Sequence, residues 1–266
     1  MQRLGLIRDV PASGSWNMAV DEALLASAWR DGTATLRFYG WQPATLSLGY
    51  FQVVADRHQH PPSRACPLVR RWTGGGAIVH DRELTYSLAL PAGRPWPTAK
   101  VLYDLVHQTL IDTLAEWGLR AVKYRDLVPA CHTAMESPLR GRQPFLCFQR
   151  RACSDVLLAG HKIAGSAQRR RRGAVLQHGS VLLARSPLAP ELPGIAELSG
   201  QTLTADELAQ RWVRHLAAAL GVTVEPRELT QQEREEAAYW EKERFSLLGA
   251  GRAPGSSLVE GEFLGG

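Results

Sequence analysis

The chain has 266 residues, 45% of them apolar and 21% charged, which excludes a stapled mini-scaffold and a wholly disordered chain. No apolar run approaches the roughly 18–20 residues of a membrane span, and the start MQRLGLIRDVPASGSW has no core segment of signal-peptide length, so a soluble, cytoplasmic protein without a membrane partner is expected. Lys and Arg number 31 against 26 acids, a net charge of +5 in which Arg far outnumbers Lys; this suits an acidic protein or a phosphorylated ligand and is too weak to argue for nucleic acid.

In chain order, a helix is predicted over Asn17–Arg30, with Met18, Leu24, Leu25 and Ala28 on its apolar side. Strands follow at Thr35–Tyr39, Thr45–Tyr50 and Leu68–Arg71, the last running into Thr73 and three glycines. Ala77–His80 and Thr85–Leu90 read as strands on either side of a charged turn. Leu102, Leu105, Val106, Leu110, Leu114 and Trp117 recur at helical spacing between Thr98 as cap and Gly118 as stop. Residues 126–153 have no clean period and contain Pro129, Pro138, Gly141 and Pro144; a loop this long in a compact domain is functional or mobile. Asp155–Leu158 and Lys162–Gln168 read as a hairpin turning at Gly160-His161, and Arg169–Gly173 joins the second strand to Ala174–Leu183.

Two helices close the chain. Thr204 and Glu207 form a capping box ahead of Leu208, Trp212, Leu216 and Leu220, with Gly221 as stop; Thr230 and Glu233 repeat the box before a helix reaching Ser246. Hairpins interleaved with helices predict an α/β (α+β) domain built on a mixed, largely antiparallel sheet. The expected division is a catalytic domain over residues 1–225, then a C-terminal helix and flexible tail over 226–266.

Five segments carry residues with chemical potential. In Arg70-Arg71-Trp72-Thr73-Gly74-Gly75-Gly76, backbone N–H groups approach a ligand unobstructed and the paired forks suit a carboxylate or phosphate; the same glycines also read as a flexible turn. His80-Asp81, just after, reads as structural or as part of the site. Lys162 lies in an apolar alternation ahead of the small residues Gly165-Ser166-Ala167, so it reads as a wall lysine able to hold a carbonyl or favour a thiolate, against the ordinary solvated strand lysine. Among Cys66, Cys131, Cys147 and Cys153 no pair has zinc-site spacing, no metal site is expected, and all four read as free thiols; Cys147 and Cys153 are candidate nucleophiles as well as plain packing residues. His178-Gly179 in an apolar strand marks either close backbone approach or a satisfied core histidine. The run Arg169–Arg172 reads as a solvated hairpin tip or a dock for an acidic protein.

Taken in order, the stretches Leu36–Trp41, Leu46–Gln52, Arg70–Asp81, Glu83–Ser87, Lys162–Gln168 and Leu176–Ser180 resemble the lipoate–protein ligase and octanoyltransferase family, the biotin/lipoate A/B group, over residues 4 to 220. Within it the chain is most similar to the cysteine-dependent octanoyltransferases of Gram-positive bacteria. The resemblance implies a fold like the catalytic core of biotin protein ligase and class II synthetases. It maps the family lysine onto Lys162, the ligand loop onto Arg70–Gly76 and, through Cys147-Phe148 ahead of Asp155-Val156, the nucleophile onto Cys147 rather than Cys153.

The implied reaction takes octanoyl from acyl carrier protein onto Cys147 and passes it to a lysine of a lipoyl domain or glycine-cleavage H protein, with Lys162 shuttling a proton. No cofactor is expected. The glycine loop and Gly165–Ala167 supply oxyanion donors, His80, His178 and Gly179 help to line the substrate site, and the acyl tail runs along Leu46–Leu48 and Ile78. The alternatives are an ATP- and magnesium-dependent lipoate ligase, an amidotransferase that takes octanoyl from H protein, and a non-catalytic carrier- or nucleic-acid-binding module.

Overall fold

A computed structural model describes residues 2–93, 95–128 and 143–245. Eight strands form one sheet: β1 (Gln2–Arg8), β2 (Thr35–Tyr39), β6 (Glu83–Leu90), β7 (Ala121–Lys123), β8 (Val156–Leu158), β9 (His161–Arg171), β10 (Ala174–Leu182) and β11 (Val222–Pro226). Their order is β11-β1-β2-β6-β10-β9-β8-β7, with β1 parallel to β2 and β11 and every other pairing antiparallel. The small sheet β4-β3-β5 is made of β3 (Thr45–Leu48), β4 (Leu68–Arg70) and β5 (Ile78–His80). The α/β class and the largely antiparallel sheet are as expected.

The central strands β2 and β6 are buried along their whole length, because helices cover both faces. Leu36, Phe38, Tyr86 and Leu88 point one way, into a core with α2 (Ala99–Ala115) and α5 (Ala205–Leu220). Tyr39 and Ala89 point the other way, toward α1 (Gly14–Arg30) and α6 (Gln231–Trp240). Two short helices, α3 (Tyr124–Leu127) and α4 (Ile195–Ser199), sit in connections. Both predicted capping boxes form: Thr204 Oγ1 accepts from Glu207 N at 3.2 Å, and Thr230 Oγ1 from Glu233 N at 3.1 Å. A π turn, Glu241–Phe245, extends α6, and Trp240 and Phe245 pack in the same core cluster as α1. Among the described residues no helix is long and apolar enough to cross a membrane.

Several boundaries move for local reasons. The helix α1 begins at Gly14, ahead of the predicted Asn17, because Ser13 Oγ caps Trp16 N. The β8–β9 turn is Ala159-Gly160 (φ 47° and 78°), not Gly160-His161, and β9 runs on through Arg171 so that Arg172-Gly173 (φ 48° and 87°) form the next tip. Both are two-residue turns of the kind whose twist matches paired strands. Cys153 is disulfide-bonded, which corrects its reading as a free thiol; pairing depends on spatial separation, which chain spacing does not reveal. Cys131 lies outside the described residues, as do the rest of residues 129–142 of the long loop and the tail from Ser246 on; Cys66 and Cys147 are free.

Candidate active site

A cavity of about 230 Å³ lies between the face of the large sheet and the small sheet with its glycine loop. Cys147, Lys162, Arg71, Gly74, Gly75 and His80 line it. So do Gly165, Ser166, Ala167, His178 and Gly179. Arg70 and Gly76 do not: Arg70 Nη1 turns back to Gln52 O at 2.7 Å, and Gly76 packs beneath Cys147. Met18, Tyr39, Trp41 and Ile78 supply the apolar wall. Leu46 and Leu48, expected there, belong instead to a separate core with Leu68 and Phe145. Ser47 between them bonds His80 and Arg71, so period-two alternation turns both leucines away.

Cys147 opens a short 3-10 turn, Cys147–Gln149, and the strand pairing that precedes it aims the thiol. Ala77 N donates to Phe145 O at 2.9 Å and Cys147 N to Ala77 O at 2.7 Å, zipping the cysteine segment onto the glycine loop. A Cβ on Gly76 would lie 2.8 Å from Cys147 N and 2.9 Å from Phe145 O, so only glycine permits this approach. Lys162 Nζ reaches the same point from β9: it is 2.8 Å from Asp155 Oδ2, 3.4 Å from Cys147 O and 4.0 Å from Cys147 Sγ. Gly165 leaves the lysine its path, since a Cβ there would come within 2.7 Å of Lys162 Cε. Lys162 and Asp155 are both buried, and pairing is what makes their charges tolerable there.

Arg71 is a second buried cation. Its Nη1 donates to Ser47 O at 2.9 Å and to Ser47 Oγ, its Nη2 to Gly76 O at 2.9 Å, and among the described residues no carboxylate lies within ion-pair distance of it. Burial pulls the guanidinium below its usual value, while the facing Cys147 sulfur and, next, Glu83 act in the opposite sense. The hydrogen bonds continue from there: Ser47 Oγ donates to His80 Nε2 at 2.6 Å, and His80 Nδ1 to Glu83. Burial lowers His80 against the pull of Glu83, so the ring is neutral, with Trp41 stacked on it at 3.7 Å.

Ser166 is committed elsewhere. Burial drives His107 down to about 4, so the neutral ring donates through Nδ1 to Ser154 O and accepts the Ser166 hydroxyl through Nε2. Tyr86, pushed up to about 12 by burial, keeps its proton and donates to Ser166 Oγ at 2.6 Å. His178 is held between Thr73 Oγ1 at 2.8 Å and Asp21 Oδ2 at 3.1 Å. Burial alone would raise the Asp21 carboxyl, but the His178 bond and then the Arg37 charge outweigh it and keep the group below its usual range. The arginine run is only partly a solvated tip: Arg169 stacks on Trp72 at 3.7 Å and pairs with buried Glu22 at 3.2 Å, while Arg170 and Arg172 are exposed.

Sequence reasoning missed Asp155, Asp21 and Glu83 as site residues. Asp155 stood in view only as a strand start; its one signal was an acid opening an otherwise apolar strand.

The geometry brings Cys147 and Lys162 together at the head of a cavity with an apolar wall. The model of the lipoyl protein ligase A/B catalytic domain matches residues 13–189. Octanoyltransferase LipM of Kyrpidia tusciae is 34% identical, over 89% of this chain and 94% of its own length. Octanoyltransferase LipM of Bacillus subtilis is 32% identical, over 84% and 88%. A bi-partite lipoate protein ligase of Thermoplasma acidophilum shares the fold at TM-score 0.71 and 20% identity, over 97% of this chain and 99% of that one. The chain therefore belongs to the lipoyl protein ligase A/B catalytic domain family and is an enzyme, a transferase.

Proposed function

We propose that this chain carries out the octanoyl transfer of lipoate biosynthesis in two steps, through a thioester on Cys147. The observation that carries this reading is the line Cys147–Lys162–Asp155 at the head of an apolar cavity, with Lys162 Nζ 4.0 Å from Sγ and 2.8 Å from the carboxylate. The Cys147 thiolate attacks the carbonyl carbon of octanoyl acyl carrier protein. The bond to the carrier sulfur breaks, and the leaving thiolate takes a proton from Lys162. Backbone N–H groups of the glycine loop and of Gly165–Ala167 are the candidates to hold the oxyanion. The octanoyl tail lies against Met18, Tyr39, Trp41 and Ile78. A lysine of a lipoyl domain or glycine-cleavage H protein then attacks the acyl-enzyme. The exposed Arg170 and Arg172 offer an acidic carrier a complementary surface. The thioester supplies the driving force, so the reaction draws on no cofactor.

The test is octanoyl transfer with and without ATP and magnesium, by wild type and Cys147→Ala. The expected result is ATP-independent transfer, an octanoyl adduct on Cys147 by mass spectrometry, and neither in the variant. Transfer that requires ATP and survives in Cys147→Ala would move the assignment to a ligase.

A further inference from the structure

The proton balance of the second step calls for one more base than the cysteine–lysine pair provides. This inference rests on the Cys147 reading. An acceptor lysine arrives as an ammonium and leaves as an amide, so its nitrogen sheds two protons. Lys162, having protonated the departing carrier, takes one of them back and restores the starting pair. Its three N–H bonds are then directed to Asp155 Oδ2, Cys147 O and Cys147 Sγ, and it has no lone pair for the other.

We propose that the line Asp21–His178–Thr73 accepts this second proton. Arg37 Nη1 at 3.2 Å and Tyr39 OH at 3.0 Å both donate to Asp21 and hold it in place. Its carboxylate accepts from His178 Nδ1, which leaves Nε2 as the acceptor of the Thr73 hydroxyl proton. In the step, an N–H bond of the acceptor breaks, the electron pair stays on nitrogen as the amide forms, and the proton enters the line at His178, the member that faces the cavity, with Thr73 holding the ring through Nε2 until then. The imidazolium is then stabilised by Asp21, a role buried carboxylates play beside catalytic histidines.

The surroundings fit an outlet rather than mere packing. His178 faces the acyl cavity on one side and, on the other, a chamber of about 10 Å³ walled by Asp21, Glu22, Thr73 and Arg169. The chamber has room for a single water. Glu22 is buried, and its Oε2 has no hydrogen-bond partner among the described residues. Burial raises the Glu22 carboxyl against the pull of Arg169. Arg169 leads along β9 toward the hairpin tip.

The experiment separates the half-reactions in the full chain, comparing wild type with His178→Gln and Thr73→Val. Acylation is followed as the Cys147 adduct formed from octanoyl carrier without acceptor. The preformed acyl-enzyme is then chased with a lipoyl-domain lysine or with hydroxylamine, which is uncharged at neutral pH and sheds only one proton. Because His178 also lines the acyl cavity, the reading is the ratio of the two chases in each variant: transfer to lysine is expected to slow about 10²-fold more than the reaction with hydroxylamine, as loss of a general base does. Lysine transfer at the wild-type rate overturns the proposal. So does an equal slowing with lysine and hydroxylamine, which would mark a packing defect. If His178→Gln does not fold, the near-isosteric Thr73→Val decides by the same criteria. Absence of a wild-type adduct would instead sink the Cys147 reading.

Discussion

Two buried cations flank the same sulfur, and they differ in what holds them. Lys162 is balanced by the Asp155 carboxylate at 2.8 Å. Arg71 is ringed by Ser47 and backbone carbonyls. An ammonium beside a carboxylate can give up a proton and recover it, whereas a guanidinium keeps its charge at every pH the protein meets. The two roles are therefore separate. In the mechanism we propose, Lys162 moves a proton, and Arg71 supplies a fixed positive field toward Cys147.

The largest expected effect comes from making the two alike. Lys162→Arg keeps the charge and removes the exchangeable proton, so octanoyl transfer should fall by about 10²-fold or more. Near-normal turnover by this variant would mean that Lys162 acts through charge alone. Asp155→Asn strips the ammonium of its partner; we expect transfer to drop and stability to fall by about 3 kcal/mol, measurable by urea unfolding, because a buried charge is left unpaired. Arg71→Lys should cost less, about 2 kcal/mol of stability from lost forked hydrogen bonds, with thioester formation slowed by less than tenfold. An Arg71→Lys effect as deep as that of Lys162→Arg would erase the distinction between the two cations.

The smallest effect is on stability against pH. Burial places His107 at about 4 in the fold against an ordinary value of 6.5, so the unfolded chain binds a proton first as pH falls. His107 therefore costs stability between pH 6.5 and 4, on the order of 3 kcal/mol, and nothing further below that. His80, also lowered, adds in the same sense, while the raised Glu22 carboxyl works in the opposite one. Thermal unfolding from pH 7 to 4 should show the loss, and His107→Gln should flatten it.

Much of the fold was legible because its signals are local. The apolar stripe from Leu102 to Leu114, the boxes at Thr204 and Thr230 and the stop at Gly221 each announce an element within a turn or two of themselves. The strands β1, β7 and β11 lay outside the sequence reading. β7 is three residues long, and β11 is an edge strand whose pairing with β1 joins Gln2 to Val222. In the site, Cys147 and Lys162 stood out by motif, yet Arg70 and Arg71, adjacent and identical in kind, turn to different acceptors.

By itself, then, the chain's order of residues determined the helices, the hairpins, the family and the candidacy of Cys147 and Lys162, since all of these are written in neighbours and short spacings. Only the tertiary structure decided that Asp155 anchors Lys162, that Asp21 reaches His178 across 157 positions, and that Leu46 and Leu48 face away from the cavity. Those outcomes depend on which buried charge finds a partner and which strand face meets which core. Both are settled by desolvation and packing over the whole molecule rather than by any local pattern.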